Sequence, residues 1–150
     1  VLKSSTLLVL FSLLAVPVFS QDKPKDEKPT PNTTVAPVPQ EAARQGNPVK
    51  PTAESLARGK KRWTLDCAMC HGDSGDGKGD LAKDMGFKLK DFSDPAALKD
   101  RTDGEIFFII KSGHGDMPPE GDRVKTEDIW DLVNYLRSLS KKTAAAEEKK

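Results

Sequence analysis

The chain has 150 residues, with 24 Lys+Arg against 23 Asp+Glu and a single pair of cysteines, Cys67 and Cys70. Such a length suits one domain with appendages. The near balance of charge argues against a nucleic-acid binder with its basic patch, and one cysteine pair leaves no disulfide framework and no four-cysteine zinc site.

Residues 1–20 read as a secretory signal. Lys3 gives a positive start, Leu7–Val16 an apolar core broken only by Ser12, and Val18-Phe19-Ser20 a cleavage site before Gln21. The apolar run is shorter than the roughly 20 residues of a membrane helix, so cleavage is expected, with an uncleaved membrane anchor as the alternative. Either way the expected location is extracytoplasmic, in the periplasm. Residues 21–50 scatter Pro24, Pro29, Pro31, Pro37, Pro39 and Pro48 among charged and polar residues. Proline removes backbone donors and favours extended chain, so this stretch is expected to be a linker.

The domain is expected over residues 51–140. Thr52 is placed to cap a helix over 53–67 with Glu54 in its first turn, and Leu56, Gly59, Trp63 and Cys67 share one face. Gly59 on that face would let another helix approach closely. Then comes Cys67-Ala68-Met69-Cys70-His71, the attachment pattern of a c-type haem. One helical turn between the thiols suits the two vinyl groups of a porphyrin, and His71 comes next as the proximal iron ligand.

The glycine- and aspartate-rich run 72–80 holds two decoys. Gly72–Lys78 mimics the start of a phosphate loop, but Gly79 stands where a Ser or Thr is required. Asp73, Asp76 and Asp80 miss the spacing of a calcium loop and its terminal Glu. A tight loop whose carbonyls hold the second nitrogen of His71 is the better reading. Residues 81–91 are weakly patterned, with Leu81, Met85, Phe87 and Leu89 as pocket or core candidates. Asp94-Pro95 opens a short helix to Leu98. Thr102-Asp103-Gly104-Glu105 has the form of a capping box for a helix over 103–111, although Ile106–Ile110 alone would also suit a strand. A loop at 112–119 carries His114 and Met117, and Thr126 caps a last helix to Ser140 with Ile129, Leu132, Val133, Leu136 and Leu139 as its buried stripe. Residues 141–150 are expected to be a charged, frayed tail.

On these residues the chain resembles the class I monohaem cytochromes c of small bacterial type. The resemblance rests on Cys67–His71, on the Gly59-x3-Trp63-x3-Cys67 helix, on Leu132-x2-Tyr135-Leu136, and on Met117-Pro118. It implies an all-α cytochrome c fold, a few helices around one covalently attached haem c, with the last helix crossing the first near Gly59. Relatives often carry a proline whose carbonyl holds the proximal histidine; Asp80 stands at the comparable position here. For the distal iron position the resemblance favours Met117, with His114 as its rival. Met69 lies within the attachment motif on the proximal side, and Met85 reads as a core filler.

With His71 and Met117 as iron ligands and Cys67 and Cys70 as haem attachments, the implied function is one-electron transfer, not an enzyme reaction. Its partners would be redox proteins, met transiently, with neither nucleic acid nor a small-molecule substrate. Over residues 51–140 there are 14 Lys+Arg and 17 Asp+Glu, so docking with modest salt dependence is expected. The alternatives are a membrane-tethered or accessory haem subunit of a respiratory oxidoreductase complex and, from another class, a dithiol oxidoreductase using Cys67 and Cys70. The last lacks the strand–helix context such enzymes have.

Overall fold

A computed structural model describes residues 37–147, with side chains through Ser140. The signal reading of residues 1–20 and the first part of the proline-rich stretch lie outside the described residues. Six α-helices are present among the described residues: α1 Gln40–Arg44, α2 Ala53–Arg62, α3 Ala68–His71, α4 Asp80–Met85, α5 Asp103–Ser112 and α6 Thr126–Glu147. The one β interaction described is an isolated bridge between His114 and Met117, so the all-α expectation holds. No helix among the described residues is long and apolar enough to cross a membrane.

The helix starts obey local chemistry. Thr52 accepts from the Ser55 amide at 3.3 Å. At α5 the capping box is complete: Thr102 accepts from the Glu105 amide at 3.1 Å, and Glu105 accepts from the Thr102 amide at 2.7 Å. That reciprocal pairing satisfies two otherwise unpaired donors, and it decides for helix over strand in Ile106–Ile110. α6 has Thr126 already inside it, so the cap falls one residue before the expected position. It continues to Glu147, past the expected end at Ser140 and into the charged tail.

The central packing is α2 across α6. A Cβ on Gly59 would stand 2.8 Å from the Asp131 carbonyl carbon and 2.8 Å from the Tyr135 Cβ. The expected close approach is therefore present, and only glycine permits it. Beside it Arg58 forks onto the buried Asp131, donating from Nε at 2.7 Å and from Nη2 at 3.0 Å. The stripe Ile129, Leu132, Val133, Leu136 and Leu139 is buried, as are Trp130 and Tyr135 on its flanks. Trp130 stacks on Phe107 of α5 with ring centroids 4.1 Å apart.

Several expectations are corrected. The linker does not reach residue 50: α1 packs on α5 where Gly104 meets the Ala42 and Gln45 carbonyls. Asn47 donates to Asn134 Oδ1 at 2.9 Å, and Asn134 donates to the Val49 carbonyl at 3.0 Å and to Ser55 Oγ at 2.9 Å. Replacing Asn134 by Ala strands the buried Ser55 hydroxyl and the half-buried Asn47 and Val49 groups, so unfolding by denaturant is expected to show a loss of about 1–3 kcal/mol. An unchanged midpoint would mean the segment before Pro51 adds nothing to the fold.

Residues 81–85 lie within α4, yet Leu81 and Met85 are exposed, so neither is a core residue. Residues 94–100 make turns instead of a short helix. Asp94 Oδ1 accepts from the Ala96 amide, while Arg137 of α6 takes the Leu98 carbonyl at 2.7 Å and also the Arg101 carbonyl. The carbonyls of Asp94, Ala96 and Leu98 accept from the amides of Ala97, Lys99 and Arg101, each three residues on, so the segment closes turns without an α-helical ladder.

Candidate functional site

The approach to the cysteine motif departs from a plain helix. Between α2 and α3 the chain widens into a π turn over Trp63–Cys67, with the Ala68 amide donating to the Trp63 carbonyl. One extra residue per turn rotates the cysteine motif relative to the Gly59 face, and such turns concentrate at functional sites. No residue type announces it. The anchor is tertiary: the buried Trp63 indole donates to the Gly72 carbonyl at 3.1 Å, across the whole motif.

α3 stops at Gly72, whose φ of 78° suits glycine alone. The loop then folds back on the motif. Gly77 donates to the His71 carbonyl at 2.8 Å, Gly79 to the Cys70 carbonyl at 3.1 Å, and Phe92 to the Gly75 carbonyl at 2.7 Å. The tight loop expected from the glycine pattern is there, and it returns Phe92 to the motif. The His71 ring lies 5.3 Å from Phe92 and 5.7 Å from Trp63, which are 6.3 Å from each other, so the three rings form one cluster.

Burial lowers the His71 pKa, which keeps the imidazole neutral with a free lone pair. Its Nδ1 is buried with no hydrogen-bond partner. The loop carbonyl expected to hold that nitrogen is therefore not in place; the Gly72 carbonyl takes the Trp63 indole and the Gly75 amide instead.

His71 faces a cavity of about 300 Å³, within the range of ligand sites. Ile106, Ile110, Leu132 and Leu136 supply apolar walls, Cys67 lies beside His71, and Met117 and His114 come from the loop after α5. The structure thus brings together Cys67, His71 and Met117, and the rival His114 with them. Cys70 lies a turn beyond Cys67, partly buried, but does not line the cavity. Met69 and Met85 point to solvent, 61% and 52% exposed, which removes both as candidates. Met117 is partly buried against the core, whereas His114 is largely exposed. The two residues share a tight turn, each amide donating to the other's carbonyl at 3.0 and 3.1 Å.

Arg101, Lys88 and Lys90 also line the cavity. Sequence reasoning missed them; only the fold brings these cations to an apolar site. The set fits a haem: the Cys67 thiol and the His71 imidazole for attachment and ligation, apolar walls for the ring, and cations for its carboxylates. It fits a dithiol enzyme poorly. The Cys67 thiol is pushed up to about 12, by burial first and then by the carboxylates of Glu120 and Asp66, the opposite of an activated nucleophile.

Comparison with known proteins agrees. Residues 56–140 match the family model described as Cytochrome c. Cytochrome c6 of Pyropia yezoensis is 32% identical over 90 residues, covering 60% of this chain and 76% of that protein. Cytochrome c6 of Pyropia tenera is 32% identical over 87 residues, 58% of this chain and 95% of that one. Among solved structures, a chain of the reducing HAO-like protein complex of Kuenenia stuttgartiensis matches with a TM-score of 0.53 and 28% identity. That match covers 61% of this chain, which spans only 46% of the other's length. The chain belongs to the cytochrome c family, as an electron-transfer protein carrying one covalently attached haem c with its iron.

Proposed function

We propose that the chain is a periplasmic one-electron carrier in which Cys67 and Cys70 attach the haem and His71 and Met117 are its axial iron ligands. The observation that carries this reading is convergence: His71 and Met117, far apart in sequence, line one apolar cavity together with Cys67. When bound, the haem supplies a one-electron couple at its iron. The chain's part is to exclude water with isoleucine and leucine walls, to hold a neutral imidazole on one side, and to present a thioether from the 113–121 loop. Thioether sulfur favours the reduced metal, so His/Met ligation raises the potential. Were His71 and Met117 both to hold the iron, no position on it would be left for a substrate. Partners are then other redox proteins, met transiently. Export would be directed by residues 1–20, and cleavage before Gln21 is checked by the mass of the mature protein.

The likeness to a chain of a complex favours a second reading, an accessory or membrane-tethered haem subunit. Uncleaved residues 1–20, or co-purification with a larger oxidoreductase, would mark it.

The test is the visible spectrum of the exported, haem-loaded protein. Low-spin bands are expected in both oxidation states, together with a weak sulfur-to-iron charge-transfer band in the oxidised form. Met117→Ala is expected to abolish that band, and His114→Ala to keep it. A low-spin unmodified protein without that band, whose low-spin spectrum is lost in His114→Ala and kept in Met117→Ala, would assign the distal position to His114.

A further inference from the structure

The distal loop meets the cysteine-bearing turn through charge. Glu120 is buried, 5% exposed, and sits three residues after Met117. Its backbone is tied to α5, the Glu120 amide donating to the Ile110 carbonyl at 3.0 Å. Asp66, directly before Cys67, keeps only 14% of its side chain exposed. These two carboxylates, from separate segments, share one guanidinium. Arg123 donates to both Glu120 oxygens at 2.6 and 2.7 Å, and its Nη1 lies 3.9 Å from Asp66 Oδ1. Asp66 has a second cation, Arg62 at 3.2 Å, itself 3.4 Å from Asp128 at the start of α6. Among the described residues Arg123 is the hydrogen-bonding partner of the Glu120 carboxylate.

We propose that Arg123 is a positioning residue: by bridging Glu120 and Asp66 it clasps the distal loop to the turn that carries Cys67, and so holds Met117 in its ligating place. This rests on Met117 being the distal ligand. An ion pair with a 59%-exposed arginine would ordinarily contribute little. The difference lies in what its removal leaves. The buried Glu120 carboxylate would lose its cation while Asp66 keeps Arg62, and the cheap relief is for the loop to swing out until Glu120 meets water. The loop that swings carries Met117. Neutralising Glu120 together with the arginine removes the uncompensated buried charge, so the double substitution is expected to recover what the single one loses.

The test is displacement of the distal ligand by added imidazole in the oxidised holoprotein, tracked through the sulfur-to-iron band. Arg123→Ala is expected to bind imidazole about tenfold more tightly than the unmodified protein, a looser loop by about 1.4 kcal/mol. Arg123→Lys is expected to fall between them. Arg123→Ala with Glu120→Gln should return to within about threefold of the unmodified protein. Thermal unfolding is recorded alongside, since a merely structural role would lower stability without changing imidazole affinity. Unchanged affinity in Arg123→Ala, or no recovery in the double variant, overturns the clasp. A sulfur band missing from the unmodified protein overturns the Met117 reading itself, and the clasp with it.

Discussion

Gly59→Val is expected to abolish the folded holoprotein. A Cβ at residue 59 collides with the backbone of Asp131 and the Cβ of Tyr135, and neither can rotate away as a flexible side chain would. The alternative is to separate α2 from α6, which stretches the Arg58–Asp131 fork and opens the core at Trp63 and Tyr135. Helix propensity runs the other way: Ala at this position would gain about 1 kcal/mol over Gly. Overpacking costs typically 1–3 kcal/mol and more against rigid backbone. Gly59→Ala is therefore expected to lose about 1–2 kcal/mol net, and the branched valine an amount comparable with the 5–15 kcal/mol that holds a domain together. Yield of haem-loaded protein and its denaturant midpoint check this. A Gly59→Val protein as stable as the parent would show that the two helices do not cross where the structure has them.

The second large effect concerns the iron. His71→Ala is expected to keep the haem on the chain, through Cys67 and Cys70, while losing the low-spin six-coordinate spectrum completely. The mass of the protein would stay that of the haem adduct, and added imidazole would restore low-spin bands by entering the space the His71 ring leaves beside Trp63 and Phe92. The physical ground is the combination of burial, a neutral ring and an unpartnered Nδ1. A buried polar atom without a partner costs about 1–3 kcal/mol, which a metal bond on the same ring would outweigh. An unchanged low-spin spectrum in His71→Ala would refute the proximal assignment. Loss of covalent haem in Cys67→Ala with Cys70→Ala tests the attachment separately.

Much of the fold was legible because its signals are local. Capping residues at Thr52 and Thr102, a 3.6-residue stripe in Ile129–Leu139, and glycines after His71 and Ser112 each act within a turn or two. The same holds for the cysteine motif, since the spacing that suits a porphyrin is written in five consecutive residues.

What escaped reading depends on partners far along the chain. Residues 40–50 look like linker until Asn134, more than eighty positions on, holds Asn47 and Val49. The turns at 94–100 are tied to α6, where Arg137 donates to the Leu98 carbonyl. The π turn at Trp63–Cys67 goes with the indole bond to Gly72. By itself the sequence determined the family, the all-α class and the attachment motif, because these lie in local spacing and helix periodicity. Only the tertiary structure decided that His71 has no loop carbonyl, that Met69 and Met85 face solvent, that Met117 and His114 share the cavity wall, and that Arg123 stands between Glu120 and Asp66. Those outcomes rest on contacts between distant segments, and such contacts exist only once α2 has packed across α6.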